Sequence, residues 1–276
     1  MPLRGFICPA WTETAGQHNP FTTLSPYVPA ACLGCDKTCM DIAFLAMIAR
    51  DTCENVHVGD YLSVSGLAAP RATWLERKVD YYEKPADCWP RTKGGGIHRN
   101  LEDIIATLPN FEDYLLESSF LWNLEIGNGI ILVNMRIDRY NKKKKLLTDY
   151  KTMHDNGWKM LKDGPKQDHV MQANCYRMGL EQNGHKVDKI SINYITMKFT
   201  REFWDVQIIP DDIVLRYAKP RASQLFYSFQ NDCLPPICNE ETRKWKCPTE
   251  KKKGYCSVGF ACPDCELYKG GFKHGK

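Results

Sequence analysis

Gly129-Ile-Ile-Leu-Val-Asn-Met-Arg-Ile-Asp138, then Arg139-Tyr-Asn-Lys-Lys-Lys-Lys145, then Leu146-Leu-Thr-Asp-Tyr-Lys-Thr152 form one continuous stretch, and the fold is read from it. Two apolar, β-branched runs flank a polar, basic turn, which predicts a β-hairpin. Side chains alternate along a strand. Ile131, Val133, Met135 and Ile137 therefore share one face of the first strand, and Asn134, Arg136 and Asp138 share the other. In the second strand Asp149 and Lys151 share a face and Tyr150 points away. If the strands pair, Asp138 and Asp149 meet with Lys151 beside them. Two carboxylates and a lysine at one end of a hairpin suit a divalent cation with a charge stabiliser next to it.

Working outward, Ser119 to Ile126 predicts a preceding strand, joined near Gly127-Asn128-Gly129. Ile97 to Leu116 predicts a helix, with Leu101, Ile104, Ile105 and Leu108 at helical spacing and Pro109 breaking or restarting it. Gln167 to Asn183 predicts an amphipathic helix ended by Gly184. Val187 to Met197 predicts a strand with Ile190, Ile192 and Tyr194 alternating. Residues 201 to 217 predict a helix broken near Pro210. Upstream, Met40 to Arg50 reads as a buried helix, Tyr61 to Val64 as a short strand, and Gly94-Gly95-Gly96 as a flexible joint. Residues 1–31, rich in Pro, Thr and Ser, read as an irregular lead-in. The central order is α-β-β-β-α-β.

Asp138, followed by Asp149-Tyr150-Lys151-Thr152, resembles the PD-(D/E)XK nuclease signature in its RecB-like branch. That branch shows Gly-Arg-Ile-Asp and then Asp-Tyr-Lys-Thr. Arg136-Ile137-Asp138 matches, while Met135 stands where the glycine would be. Flanking motifs are similar in kind and order. His98 sits in Gly-Gly-Ile-His and Glu102 lies four residues on. Gln172 and Tyr176, about 21 residues after the Asp-Tyr-Lys, resemble a Gln-x-x-x-Tyr motif and share one helix face.

The resemblance spans about residues 97 to 197. It implies an α/β (α+β) fold of restriction-endonuclease-like type, with a mixed central sheet flanked by helices. It also implies Asp138, Asp149 and His98 as ligands of Mg²⁺ or Mn²⁺, Lys151 as the catalytic lysine, and Gln172 and Tyr176 as substrate-positioning groups. Imidazole favours Mn²⁺ more than Mg²⁺. The plainer reading of His98 is a helix-start histidine making a local hydrogen bond. Glu117 has two readings, a first-strand acid of the kind found in the family or an ordinary surface glutamate, and the second is preferred. The Lys142 to Lys145 run is either a phosphate grip or a solvated turn.

At 276 residues the chain fits one large domain or a domain with an appendage. The division expected is 1–96 as a cysteine-containing helical lead-in, 97–200 as the nuclease core, and 201–276 as a helix with a cysteine-rich tail. A hydrophobic fraction of 43% supports a sizeable core, and a net charge of +4 permits nucleic-acid binding without demanding it. No apolar run approaches the roughly 18 residues of a membrane helix. The first residues lack a signal-peptide apolar core. An intracellular protein is the expectation, cytoplasmic, nuclear or, if viral, within the host cell.

Thirteen cysteines in a reducing compartment argue for metal ligation rather than disulfides. Cys247, Cys256, Cys262 and Cys265 form a C-x8-C-x5-C-x2-C set that suits Zn²⁺ or a [4Fe–4S] cluster. Cys32 and Cys35, with Cys39, offer an N-terminal partner. Several RecB-like nucleases join their termini through such a cluster, although here the short gap comes last. The function expected is a metal-dependent DNA nuclease, an exonuclease acting on DNA ends or single strands. Phage recombination, repair and CRISPR adaptation are the contexts the resemblance suggests, with a recombination or replication protein as partner. The rival is a non-catalytic nucleic-acid-binding zinc or iron–sulfur protein on a nuclease-like fold. An intact Asp138, Asp149 and Lys151 set speaks against it.

Overall fold

Alternation of apolar and polar residues in the central hairpin becomes alternation of burial in the computed structural model. The structure describes residues 3–7, 21–23, 40, 42–54, 62–78, 81–83, 85–196, 198, 200–236 and 262. In chain order the elements are β1 (Leu3–Ile7), β2 (Phe21–Thr23), α1 (Ile42–Glu54), β3 (Leu62–Ser63), α2 (Pro70–Lys78), β4 (Tyr81–Glu83), α3 (Pro85–Ala106), β5 (Tyr114–Ile126), β6 (Gly129–Asn141), β7 (Leu146–Thr152), α4 (Gln167–Gln182), β8 (Lys189–Ile195), β9 (Thr200–Phe203) and α5 (Asp211–Gln230). The chain forms two compact units, one of residues 1–60, 71–95 and 236–276, the other of 61–70 and 96–235.

The second unit holds a six-stranded mixed sheet in which β3, β6, β7, β8 and β9 follow one another and β5 pairs with β6. Pairs β5–β6, β6–β7 and β8–β9 are antiparallel, and β3–β6 and β7–β8 are parallel. This is the mixed α/β architecture expected. Gly127 makes the tight β5–β6 turn with φ of +58°, a backbone region that costs glycine little. In β6 the residues Ile131, Val133, Met135 and Ile137 are buried, while Ile130, Leu132 and Arg136 are exposed. β7 is buried from Leu146 to Tyr150, as a central strand should be. α4 lies close on the sheet because Gly179 faces Met135 and Trp122, leaving no room for a β-carbon. α5 buries Val214, Ala218, Ala222, Leu225 and Phe229 at helical spacing.

In the first unit β1 pairs antiparallel with β2 and parallel with β4. α1 buries Leu45, Ile48 and Ala49, and Phe44 meets Trp89 edge to face at 5.6 Å.

Four local expectations are corrected. Residues 1–31 contain two strands rather than only an irregular lead-in. The helix expected from Ile97 begins at Pro85 and ends at Ala106, before Pro109, so Gly94-Gly95-Gly96 lies inside it, with the boundary between the two units falling between Gly95 and Gly96. Leu115 and Leu116 belong to β5, whose alternating continuation outweighs the helical spacing before it. Between 201 and 217 the chain completes β9 first, and α5 starts at Asp211 directly after Pro210. Proline sets the φ of a helix start without needing a donor.

Candidate active site

Regular pairing in the central hairpin ends where its acids begin. β6 and β7 pair at Arg139–Thr148, Tyr140–Leu147 and Asn141–Leu146. One step further Asp138 and Asp149 would face each other. The strands part there instead, and Asp138 Oδ2 accepts the Tyr150 backbone N–H at 2.6 Å. A side-chain carboxylate thus takes the place of a ladder carbonyl, so Asp138 is fixed in the cleft between the two strands.

The other edge of β6 is irregular at the same position. Its ladder with β5 keeps one register but skips from Leu116–Arg139 to Ser118–Ile137. Glu117 falls opposite Asp138 without being paired to it. Glu117 has φ of +42°, a left-handed conformation that a residue with a β-carbon seldom adopts. Like charges facing each other across strands repel. Two acids held there, one of them strained, call for a positive partner.

His98 on α3 reaches the pair. Its Nδ1 lies 3.2 Å from Glu117 Oε1 and 3.5 Å from Asp138 Oδ1. Its ring meets Tyr150 edge-on at 5.9 Å. One donor atom from each of His98, Glu117 and Asp138 lies within 4.8 Å of the others, a set that could hold a metal ion. Arg136 Nε sits 3.1 Å from Glu117 Oε2 on the outer side.

The titration of these groups reflects their crowding. Burial pushes the Asp138 carboxyl up to about 6, and the Asp149 charge adds to it, against the pull of Lys151, His98 and the Tyr150 N–H. For His98 burial acts downward, but the Glu117 hydrogen bond and the charges of Asp138 and Glu117 leave it raised above its ordinary value. The cluster attracts positive charge, whether a proton or a metal ion.

Asp149 on β7 is almost wholly buried, 2% exposed. Lys151 Nζ donates to its Oδ1 at 2.8 Å. Oδ2 lies 2.7 Å from the same nitrogen but is misaligned, and it accepts no hydrogen bond. A buried carboxylate oxygen without a donor is costly. Oxygen donors with one imidazole suit Mg²⁺ or, better, Mn²⁺, so the residues present fit a divalent ion. Asp149 stands outside the 4.8 Å set, beside it rather than in it.

α4 carries Gln172 and Tyr176 on one face. Gln172 Nε2 donates to the Tyr176 hydroxyl at 2.9 Å, and Tyr176 is buried. Gln172 is half-buried, so of the two it is the more open to the cleft. Glu102 on α3 is half-buried and outside the converging set. At the hairpin tip Lys142 Nζ donates to Glu112 O, Lys143 pairs with Asp113, and Lys145 pairs with Asp188. Three of the four lysines are thus turned to partners within the chain.

Of the cysteines expected to hold zinc or iron–sulfur, Cys262 is described: it is half-buried, and Arg71 Nη1 donates to its Sγ at 3.6 Å. Cys32, Cys35, Cys247, Cys256 and Cys265 lie outside the described residues. Cys88 is buried and its Sγ accepts from Arg91 Nη2 at 3.5 Å, and Cys175 is a buried free thiol that burial pushes up to about 12.

Glu117 is no ordinary surface glutamate but part of the converging set; counting back from the 127–128 turn, which sets it opposite Asp138, gave a weak signal for it. His169, three residues before Gln172 and seven before Tyr176, lies on their helix stripe without a motif of its own.

No family model matches the chain, and no curated protein matches it in sequence. Its fold is similar to the crystal structure of SSO0001, with a TM-score of 0.54 and 18% identity over 83% of this chain and 97% of that one. A phage-related exonuclease from Haemophilus somnus 129PT gives a TM-score of 0.38 and 11% identity, over 65% of this chain and 98% of that one. Among the described residues no helix is long and apolar enough to cross a membrane.

Proposed function

We propose that this protein is a metal-dependent nuclease that hydrolyses phosphodiester bonds in DNA, of the RecB-like PD-(D/E)XK kind. The observation that carries the reading is the convergence of His98, Glu117 and Asp138 from three elements at the point where β6 and β7 part, with the buried Asp149 and its half-buried partner Lys151 beside them. The ordered sequence motifs support it independently.

His98, Glu117 and Asp138 would hold the ion, with Asp149 adjacent. A divalent cation supplies Lewis-acid neutralisation of phosphate charge and makes water more acidic. Asp149 holds the Lys151 ammonium in place, and Lys151 stabilises negative charge that develops on the phosphate as the P–O bond breaks. Gln172, oriented by Tyr176, positions the substrate. The Tyr150 N–H keeps Asp138 turned toward the cleft instead of away from it. DNA ends or single strands, and exonucleolytic action, are the finer parts of the proposal.

The test is degradation of end-labelled single- and double-stranded DNA, of matched RNA, and of a covalently closed circle. Each is run with Mn²⁺, with Mg²⁺ and with chelator. Metal-dependent loss of linear DNA is expected, with Mn²⁺ at least as effective as Mg²⁺. Cleavage of the circle would refute exonucleolytic action alone. Tight binding of DNA without cleavage under any metal would favour the non-catalytic rival.

A further inference from the structure

His169, in the first turn of α4, is a histidine that the site described so far does not use. With Gln172 and Tyr176 it forms a stripe along one helix face, at i, i+3 and i+7. Its ring stacks on that of Tyr194, with centroids 5.6 Å apart and planes 29° apart. Tyr194 is fully buried and is the register partner of Lys151 across the β7–β8 pair. Side chains of register partners rise from the same sheet face. His169 therefore lies over the face that carries Lys151 and Asp149.

The proton on the ring can be placed by elimination. The Tyr194 hydroxyl accepts the Lys166 backbone N–H at 3.0 Å and lies 2.9 Å from His169 Nδ1. A phenol has one proton to donate, and when buried it needs an acceptor. The Lys166 N–H cannot accept it. Among the described residues the acceptor offered to the Tyr194 proton is His169 Nδ1, and that assignment leaves Nδ1 bare and puts the imidazole proton on Nε2. Burial, with Lys151 and Lys166 adding to it, holds the ring down at about 3, so it is neutral at ordinary pH. The ring is only partly enclosed, and among the described residues Nε2–H has no hydrogen-bond partner. A locked, uncharged donor among lysines is suited to an anionic oxygen.

We infer that His169 is a substrate-contacting residue of this site, donating its Nε2–H to a non-bridging phosphate oxygen of bound nucleic acid next to the phosphate that Lys151 serves. The inference rests on the nuclease reading for its location, but it concerns binding and can be tested apart from cleavage. A neutral donor contributes directed hydrogen bonding where a third cation would add only charge. Its rigidity comes from Tyr194, so it offers the phosphate a fixed position.

The experiment compares the full chain with His169→Phe and His169→Gln. Phe keeps the aromatic stack and removes both nitrogens; Gln retains an N–H near the place of Nε2. Binding of a fluorescein-labelled single-stranded oligonucleotide is measured with Ca²⁺, and cleavage is measured with Mn²⁺. His169→Phe should weaken binding and raise KM about tenfold, as loss of a hydrogen bond to a charged group does. Its kcat should fall much less. His169→Gln should recover most of that loss although it lacks the stack, which a purely structural role could not do. Unchanged binding and KM in His169→Phe would overturn the inference while leaving the nuclease reading in place if that variant still cleaves. If wild-type protein binds without cleaving, weaker binding by His169→Phe sustains the contact and the hydrolytic reading fails. If wild-type protein does not bind the oligonucleotide at all, the contact is refuted.

Discussion

The sheet and helix α4 both supply the candidate site, and they do so in opposite ways. On the sheet the useful residues sit where regularity fails. Glu117 has a left-handed backbone, Asp138 replaces a ladder carbonyl, and Asp149 keeps one buried oxygen without a donor. On α4 the helix is unbroken from Gln167 to Gln182, and Gln172, Tyr176 and His169 are bonded to neighbours. Strained and underpaired groups store affinity for something positive. The helix adds no such strain and holds its polar groups at fixed spacing.

The largest effects should therefore come from the sheet. Asp138→Ala and Lys151→Ala should each lower cleavage by about a hundredfold to a thousandfold or more, without loss of folding. Gln172→Ala should cost only about tenfold, mainly through KM. Steady-state cleavage of one labelled substrate ranks the three. Equal losses from Gln172→Ala and Lys151→Ala would erase the distinction between the two regions.

Glu117 sharpens the comparison further, because strain and ligation can be separated there. Glu117→Gly relieves the left-handed backbone, whereas Glu117→Ala keeps the β-carbon penalty. Both remove one oxygen donor. Both should weaken Mn²⁺ binding at least about tenfold, as calorimetry would read. The glycine variant should be more stable than the alanine variant by about 1 kcal/mol. Mn²⁺ affinity equal to wild type in either variant would take Glu117 out of the ligand set.

Most of the architecture was legible because it follows from period. The β6 alternation, the β5–β6 turn at Gly127 and the α4 helix could be read from residue spacing alone. The short β1 and β2 strands were not legible, since Leu3–Ile7 and Phe21–Thr23 give too few residues to show a period. Gly94 to Gly96 hid the first part of α3, because three glycines carry low helix propensity; they lie within the helix, at the boundary between the two units. The grouping of the candidate site was legible where it followed a motif, as with His98, Asp138, Asp149 and Lys151. Glu117 was named as a first-strand acid but read as a surface glutamate, since its importance arises from facing Asp138 across a register, a relation between strands rather than along one.

Gly179 tests whether α4 depends on its close approach to the sheet. A β-carbon there would overlap the Met135 thioether and stand 3.3 Å from Trp122 Cβ. Met135 is buried but its end is flexible, so the strain is partly absorbed. Gly179→Ala should destabilise by about 1–2 kcal/mol and lower cleavage modestly as Gln172 shifts. Denaturant unfolding of this variant beside Met135→Leu would show whether the contact is responsible. No loss of stability in Gly179→Ala would mean that α4 is free to move away from the sheet.

The smallest effect expected is a pH dependence of stability, and it comes from the helix side. His169 is held neutral in the fold, with its imidazole pushed down to about 3 from an ordinary value of 6.5, by burial first and then by Lys151 and Lys166. Once unfolded it protonates near its ordinary value. The unfolded chain therefore binds more protons between those two values, and stability is lost as pH falls through that window. Above about pH 6.5 the group contributes no pH dependence. Protonation would also put a hydrogen on Nδ1, forcing Tyr194 to accept there and leaving its own proton without an acceptor. The loss should be at most about 1 kcal/mol per pH unit, reduced because part of the ring meets solvent. Thermal unfolding between pH 7 and roughly pH 5, wild type against His169→Phe, isolates this contribution. The wild-type melting temperature should fall more steeply than that of the variant. Parallel curves would show that His169 is already free to protonate in the folded protein, and its locked tautomer would fall with that result.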